Sequence, residues 1–461
     1  MTLPTGRTAD LVRNAPVAVL GFGVSNRPLA ALLQRMGATL HIFDQKSPDE
    51  LGKEAHAVLQ NGARFYSDME AMPLGDVSVI FRSPGIHPDT PALKRARESG
   101  VPVSSEMAWF LEITPATVIA ITGSDGKTTT TNLTAEMLKA DGKRVWMGGN
   151  CGTPLLDRAT EMTKDDVAVV ELSSFQLYDL PPSVVPHRAA VTNLSPNHLN
   201  WHSDMDDYVT AKTRIFDGDR CELLVTNAEN KLTAAMASTQ TEKRTVVLFS
   251  SKAGAKTDLR IEDGMIVCGN EPIVRVDDVR LPGIHNIENM MTAIGLCHGL
   301  VSPDAMRRVA MEFGGVEHRL EHVRTWRGVD YYNSSIDSSP TRTAAALSAL
   351  HQPIVVICGG SDKHISFAPL ATSLCKHVRA VVLTGETADK IHAALLACPD
   401  YDPDRLTVCR EPLFEDAVKA ASSLAREGDA VLLSPACASF DAFPNFMVRG
   451  ETFKRIVRGL K

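Results

Sequence analysis

At residues 117–138 an apolar, β-branched stretch, Thr117-Val118-Ile119-Ala120-Ile121, runs straight into Thr122-Gly123-Ser124-Asp125-Gly126-Lys127-Thr128-Thr129. A helical pattern marked by Leu133, Met137 and Leu138 follows. A buried strand that feeds a helix through a tight glycine turn belongs to a parallel sheet, because parallel neighbours need a crossover and a helix is the usual one. The glycines let backbone N–H groups converge on an anion without Cβ obstruction, and the helix start adds roughly half a positive charge. Lys127 is spaced to reach the β- and γ-phosphates of a nucleotide, and Thr128 to offer its hydroxyl to magnesium. The general phosphate loop wants glycine at position 121, where this chain has Ile121. Strand, turn and helix still surround the Gly-Lys-Thr, and nucleoside triphosphate binding is the expectation.

Short β-branched runs alternate with longer helical patterns along all 461 residues, which predicts an α/β fold with parallel strands. A chain of this length exceeds one hydrophobic core, and the pattern restarts three times. The first segment, 1–112, opens on Val17–Leu20, a glycine turn and a helical stretch to Met36, then a strand Thr39–Phe43 ending at Asp44. The second, 113–315, holds the phosphate loop and strands at Val167–Val170, Ala189–Val191 and Leu223–Thr226. After the Leu281-Pro282-Gly283 turn it continues into a helix carrying Met290, Ala293, Ile294 and Cys297. The third, 316–461, has strands at Ile354–Ile357, Ala380–Leu383 and Ala430–Leu433.

The net charge of −7 argues against a general nucleic-acid binder, which carries a basic excess or patch. Residues 1–16 lack the apolar core of a secretory signal, and no apolar run approaches the roughly 18 to 20 residues that cross a bilayer. The nine cysteines are scattered, without a Cys-x-x-Cys pair, as in a reduced cytoplasmic protein. A cytoplasmic protein with no nucleic-acid and no membrane partner is expected.

Gly21-Phe22-Gly23-Val24-Ser25-Asn26 follows the first strand and opens a helix, with Asp44 about twenty residues on, most of a dinucleotide fingerprint. Asn26 stands where its third glycine would be. The turn fits NAD(P), a phosphosugar-nucleotide held at the helix start, or a purely structural role.

The strand Val167–Val170 ends in Glu171, followed by Leu172-Ser173-Ser174-Phe175-Gln176. Ligand chemistry in open parallel sheets collects at the carboxyl ends of strands, which gives Glu171 a route to magnesium, a cation that prefers oxygen ligands. Strand Ala189–Val191 leads to His198, with His202 close behind; no third ligand for zinc is apparent, and His202 reads as structural or as a substrate contact. Lys212 lies in the helical stretch Tyr208–Phe216 and by itself reads as surface charge.

Taken in order, these features resemble the Mur ligases, and most of all their D-glutamate-adding branch. The resemblance spans essentially the whole chain. It includes Ser83-Pro84-Gly85-Ile86, the phosphate loop, Gly148-Gly149-Asn150, Glu171-Leu172-Ser173-Ser174-Phe175-Gln176-Leu177, His198 and Ala211-Lys212. It continues through His285-Asn286-Ile287-Glu288-Asn289, His318-Arg319, Gly359-Gly360-Ser361-Asp362-Lys363 and Ser434-Pro435-Ala436-Cys437-Ala438-Ser439.

The resemblance implies three domains: a Rossmann-like N-terminal domain for the UDP-substrate, a central P-loop-type ATPase sheet, and a Rossmann-like C-terminal domain for glutamate. It implies ATP-dependent ligation of D-glutamate to UDP-N-acetylmuramoyl-L-alanine through an acyl phosphate, in peptidoglycan precursor synthesis, by a monomer using two magnesium ions. Carried over by position, Gly123, Ser124, Asp125, Gly126, Lys127, Thr128, Thr129, Asn286, Asn289 and Arg319 would bind ATP. Gly23, Val24, Ser25, Asn26, Asp44, Ser83, Pro84, Gly85 and Asn150 would bind the UDP-substrate, and Lys363, Ser439 and Phe446 the glutamate. Thr128, Glu171, His198 and a carbamylated Lys212 would serve the metals, and Lys127, Asn150, His198 and Lys212 would carry the chemistry.

The family's Asn-Asp-Ser-Lys-Ala-Thr-Asn run reads here Asn333-Ser334-Ser335-Ile336-Asp337-Ser338-Ser339, so the acid is lost at Ser334 and the lysine at Ile336. Asp337 is the candidate replacement. A folate polyglutamate ligase shares the chemistry, but the short N-terminal segment and Ser83-Pro84-Gly85-Ile86 favour the muramoyl substrate. An NAD-dependent oxidoreductase leaves the phosphate loop unexplained.

Overall fold

The valine- and isoleucine-rich runs form the centres of three sheets. The computed structural model describes residues 3–150, 153–199, 201–281, 283–362 and 365–460. The chain divides into two compact units, 1–313 and 314–461.

The first unit holds two of the sheets. The N-terminal sheet comprises β1 (Pro16–Leu20), β2 (Thr39–Phe43), β3 (Arg64–Tyr66), β4 (Val79–Arg82) and β5 (Val103–Ser104), in the order β3-β2-β1-β4-β5 with every pairing parallel. The central sheet comprises β6 (Thr117–Thr122), β7 (Val145–Gly149), β8 (Val167–Glu171), β9 (Arg188–Val191), β10 (Leu223–Asn227), β11 (Thr245–Phe249), β12 (Leu259–Glu262), β13 (Met265–Cys268) and β14 (Glu271–Arg275). Its order is β14-β13-β12-β11-β10-β9-β6-β8-β7. The phosphate-loop strand β6 thus lies in the middle, with β8 and β9 on either side. Its carboxyl end opens beside those of the strands that carry Glu171 and lead to His198.

One apolar core joins the two sheets of this unit: Val17, Val19 and Phe81 from the first and Ala120, Val170 and Val191 from the second share a single cluster with Trp109 and Phe110. On the other face of the central sheet, helix Lys127–Ala140 packs on helix Ile284–Cys297 through Leu133, Met137, Met290 and Ile294, all fully buried. Each such side chain contributes about 1.5–3 kcal/mol through removal from water.

The second unit holds β15 (Glu321–Trp326), β16 (Val329–Asn333), β17 (Ile354–Gly359), β18 (Val378–Thr384), β19 (Thr407–Arg410) and β20 (Ala430–Leu433), in the order β15-β16-β20-β17-β18-β19. The antiparallel strands were not expected from a reading of parallel α/β. They lie at sheet edges, as β12–β14 and as β15 against β16. There one side meets water and apolar runs give way to mixed residues, and Pro272 is tolerated because β14 is an edge strand. Among the described residues no helix is long and apolar enough to cross a membrane.

A phosphate loop braced by two lysines

Gly123 and Gly126 adopt φ values of 145° and 79°, a region that only glycine enters cheaply. Space enforces the same choice: a Cβ on Gly123 would lie 1.9 Å from Thr192 Oγ1, and one on Gly126 would lie 2.1 Å from Asn289 Oδ1. The loop is braced from outside. Thr192 Oγ1 donates to the Asp125 carbonyl at 2.6 Å, Asp125 N donates to Asn193 Oδ1 at 2.9 Å, and Ser124 Oγ lies 2.9 Å from the Tyr208 hydroxyl.

Lys127 folds back over the loop and donates to the carbonyls of Gly123 and Ser124 at 3.1 and 2.8 Å. Lys212 reaches the same loop from beneath, donating to Thr122 Oγ1 at 3.0 Å and to the Gly123 carbonyl at 2.9 Å. It is 2% exposed, so it is no surface lysine. Burial, and then the charge of Lys127, hold its ammonium well below the ordinary lysine range against the opposing pull of Glu171.

Glu171 is buried at the end of β8. Its carboxylate accepts from Thr128 Oγ1 at 2.8 Å and from Asn150 Nδ2 at 2.6 Å, while its carbonyl accepts from Asn150 N at 2.7 Å. Gly149 is required there, since a Cβ would lie 2.2 Å from the Glu171 carbonyl oxygen. Two hard oxygen donors, a hydroxyl and a carboxylate, thus meet at a helix start, the donor set magnesium prefers. His198 adopts φ 55° and packs edge-on to Phe175, ring centroids 4.8 Å apart. Desolvation and the charges of Lys127, Lys212 and His202 depress its pKa. His202 has both ring nitrogens engaged, with Asp207 Oδ2 at 3.0 Å and Ser174 Oγ at 2.9 Å, which decides for its structural reading.

In the N-terminal sheet, Asp44 Oδ2 accepts from Phe22 N at 2.7 Å, and Asn26 Nδ2 donates to the carbonyls of Leu20 and Gly21 at 3.3 and 2.8 Å. Both side chains shape the glycine turn itself, in place of the ribose contact and third glycine of a dinucleotide site. Gly23 and Val24 stay exposed. Ser83 closes on the turn: its N–H donates to the Leu20 carbonyl at 2.8 Å, and a Cβ on Gly21 would lie 2.8 Å from Ser83 Cβ.

In the second unit, Arg319 is exposed and stands between two left-handed residues, His318 at φ 62° and Leu320 at φ 44°. Such strain persists only where surroundings over-determine it. Here Leu320 N donates to Ser334 Oγ at 3.1 Å, Ile336 N to the His318 carbonyl at 3.1 Å, and His318 N to Glu321 Oε2 at 2.9 Å. Ser334, in place of the family's acid, therefore holds the arginine turn by its hydroxyl. Asp337 accepts from Ser434 Oγ at 2.9 Å, and burial raises its pKa. Ser439 is buried, and Phe446 packs edge-on to His318 at 5.9 Å. Arg449 donates to the carbonyls of Ser335, Cys437 and Ala438 at 3.0–3.1 Å and so ties the loops around both. Lys363 lies outside the described residues.

Residues 121–297 match the Mur ligase middle domain and residues 318–437 the Mur ligase glutamate ligase domain. The UDP-N-acetylmuramoylalanine–D-glutamate ligase of Clostridium novyi (strain NT) is 43% identical over 458 residues, 98% of each chain. This chain belongs to the Mur ligase family. The corresponding ligase of Clostridium botulinum (strain Okra / Type B1) is 41% identical over 453 residues, again 98% of each. Among solved structures, a UDP-N-acetylmuramoyl-L-alanyl-D-glutamate–2,6-diaminopimelate ligase shares the fold with a TM-score of 0.54 at 18% identity, over 92% of this chain and 93% of the other.

This Mur ligase is accordingly an ATP-dependent ligase, and its fold gathers the residues expected at the phosphate loop. Thr128 and Asn150 both bond Glu171, Lys127 and Lys212 meet at Gly123, and Asn289 abuts Gly126 and bonds Asn286 at 3.3 Å. Thr122, Thr192, Asn193 and Tyr208, which brace the loop, were not legible as functional, because a threonine at a strand end or a tyrosine in a helix carries no periodic signal.

Proposed function

We propose that this Mur ligase joins D-glutamate to UDP-N-acetylmuramoyl-L-alanine at the expense of ATP, through an acyl phosphate, as a cytoplasmic monomer in peptidoglycan precursor synthesis. The observation that carries the reading is Glu171 seated between Thr128 and Asn150 at the mouth of a phosphate loop. The choice of acceptor and donor rests on the full-length similarity to curated D-glutamate ligases. Residues 1–112 would take the UDP-substrate, 113–315 the ATP, and 316–461 the glutamate.

A carboxylate is a poor electrophile until one oxygen becomes a leaving group. In the first step an oxygen of the alanyl carboxylate attacks the γ-phosphorus and the bond to the ADP oxygen breaks. In the second the amine of D-glutamate attacks the carbonyl carbon, loses a proton, and inorganic phosphate departs. The protein's part is positioning and charge stabilisation more than covalent chemistry. The amides of Gly123–Thr129 would cradle the phosphates, and Lys127 would leave its loop carbonyls for the β- and γ-phosphates. Asn286 and Asn289 would complete the ATP site on this unit. Gly23, Val24 and Ser25 would hold the UDP moiety on a turn shaped by Asn26 and Asp44, beside Ser83, Pro84 and Gly85. Asn150 would orient Glu171 and meet the substrate. Lys363, Ser439 and Phe446 would receive glutamate.

Thr128 would hold one magnesium, and Glu171, His198 and a carbamylated Lys212 a second; bound there, magnesium would neutralise charge on the transferred phosphoryl group. An ammonium only donates hydrogen bonds, so Lys212 needs the carbamate to offer an oxygen ligand. Its burial next to Lys127 favours the neutral amine, the form that adds carbon dioxide.

The test is phosphate release from ATP that requires both UDP-MurNAc-L-Ala and glutamate, run with D- and L-glutamate in parallel. Release that ignores the UDP-substrate, or equal use of both isomers, overturns the reading.

A further inference from the structure

Arg82 ends β4 immediately before the Ser83-Pro84-Gly85-Ile86 turn and is 3% exposed. Its Nε donates to Asp179 Oδ2 at 2.6 Å, its Nη1 to the carbonyls of Ser83 at 3.4 Å and of Ile86, and its Nη2 to the Phe175 carbonyl at 3.2 Å. Arg97 approaches Asp179 from the other side, donating to Oδ1 at 3.2 Å and to the Pro88 carbonyl at 2.7 Å. Phe175 and Asp179 follow Glu171 in the segment that leaves β8. One planar guanidinium therefore fastens the turn at the mouth of the N-terminal sheet to the segment behind Glu171 in the central sheet.

We propose that Arg82 and Asp179 are positioning residues that fix the distance between the UDP-substrate turn and the Glu171 edge of the phosphate loop. This rests on the functional reading above. The substrate's nucleotide end and its reacting carboxylate would be held by different sheets, so any slack between the sheets becomes misalignment at the γ-phosphorus. Near-attack geometry tolerates little of it: a misplacement of about 1 Å costs on the order of a hundred-fold in rate. The apolar core already holds the sheets together, but dispersion is not directional, whereas a guanidinium bonded at three nitrogens is. A lysine, as a point charge on a flexible stem, cannot reproduce that fork.

The experiment is steady-state kinetics of the full-length enzyme and of Arg82→Lys, Asp179→Asn and the double variant. Affinity for ATP alone and the melting temperature are measured alongside. The expected result is a fall of roughly ten- to a hundred-fold in kcat/KM for UDP-MurNAc-L-Ala in each single variant, with ATP affinity unchanged. The double variant should be no worse than the poorer single one, because the two residues act as a unit. Should Arg82→Lys fail to fold, Asp179→Asn keeps an acceptor oxygen for the guanidinium and carries the same test. A lowered melting temperature with unchanged kinetic constants means a structural pair only and overturns the proposal, as does ATP affinity that falls in step with kcat/KM. A wild-type enzyme idle with these substrates overturns the functional reading itself, whereas an active wild type with unaffected variants overturns the positioning role alone.

Discussion

Lys127 and Lys212 donate to the same atom, the carbonyl oxygen of Gly123, at 3.1 and 2.9 Å. Their nitrogens are thus separated by at most the sum of those lengths, about 6 Å, where two like charges repel by about 3 kcal/mol at an effective dielectric near 20. Lys127 is the more exposed of the two, and burial first, then the charge of Lys127, destabilises the Lys212 ammonium.

Removing the charge above the loop should stop the reaction without unfolding the protein. Lys127→Ala is expected to lower kcat by roughly a hundred- to a thousand-fold, the usual cost of one preorganised contact to a transferring group. Circular dichroism of the purified variant should match the wild type, and near-normal turnover would remove Lys127 from the ATP site.

Below the loop the expected chemistry is anionic. Lys212→Ala should be severely impaired, and acetate or propionate in the buffer should restore part of the rate by supplying the missing carboxylate oxygen. Full activity in the variant, or failure of every short carboxylate to raise the rate, counts against the carbamate.

The loop's conformation is itself testable. At Gly126 an alanine meets Asn289 Oδ1 at 2.1 Å and must hold φ 79°, a conformation costing about 1–2 kcal/mol for an L-residue. Gly126→Ala should weaken ATP binding in a direct titration more than it lowers the melting temperature. An unchanged Kd would show that the loop relaxes without penalty.

Glu106 offers a pH test away from the reaction. It is buried between helix Glu106–Ile113 and the 156–161 turn, where Oε1 accepts from Leu156 N at 3.2 Å, and burial pushes its pKa up from 4.5 to about 7. The folded chain then binds this proton more tightly than the unfolded one, so the stabilisation is complete below pH 4.5 and is lost as pH rises through 7. Linkage puts the swing at about 3 kcal/mol. The melting temperature of Glu106→Gln relative to wild type should climb between pH 4.5 and 8. A difference that stays flat across that range means an ordinary carboxylate.

The sequence by itself determined the parallel strands and the phosphate loop, because both are local. Thr39–Phe43 and Ala430–Leu433 are short runs rich in residues that suit strands, and they appear as strands with those limits. The Gly123–Thr129 turn is specified by glycines within a few residues of Lys127. The strand pattern likewise ends at Glu171, as β8 does. Tertiary structure decided what depends on partners far apart in the chain. The Gly123 carbonyl is 89 residues from Lys212, and Arg82 is 97 from Asp179; neither separation leaves a periodic trace. The lysine that reads as surface charge is buried because its helix, Met205–Thr213, packs Tyr208 and Ala211 into the core beside it. Asp44, which fits a dinucleotide fingerprint, and Asn26, which stands in place of its third glycine, are turned onto their own glycine turn by hydrogen bonds. Side-chain direction of that kind follows from the packing of whole elements, and no stretch of sequence a few residues long contains it.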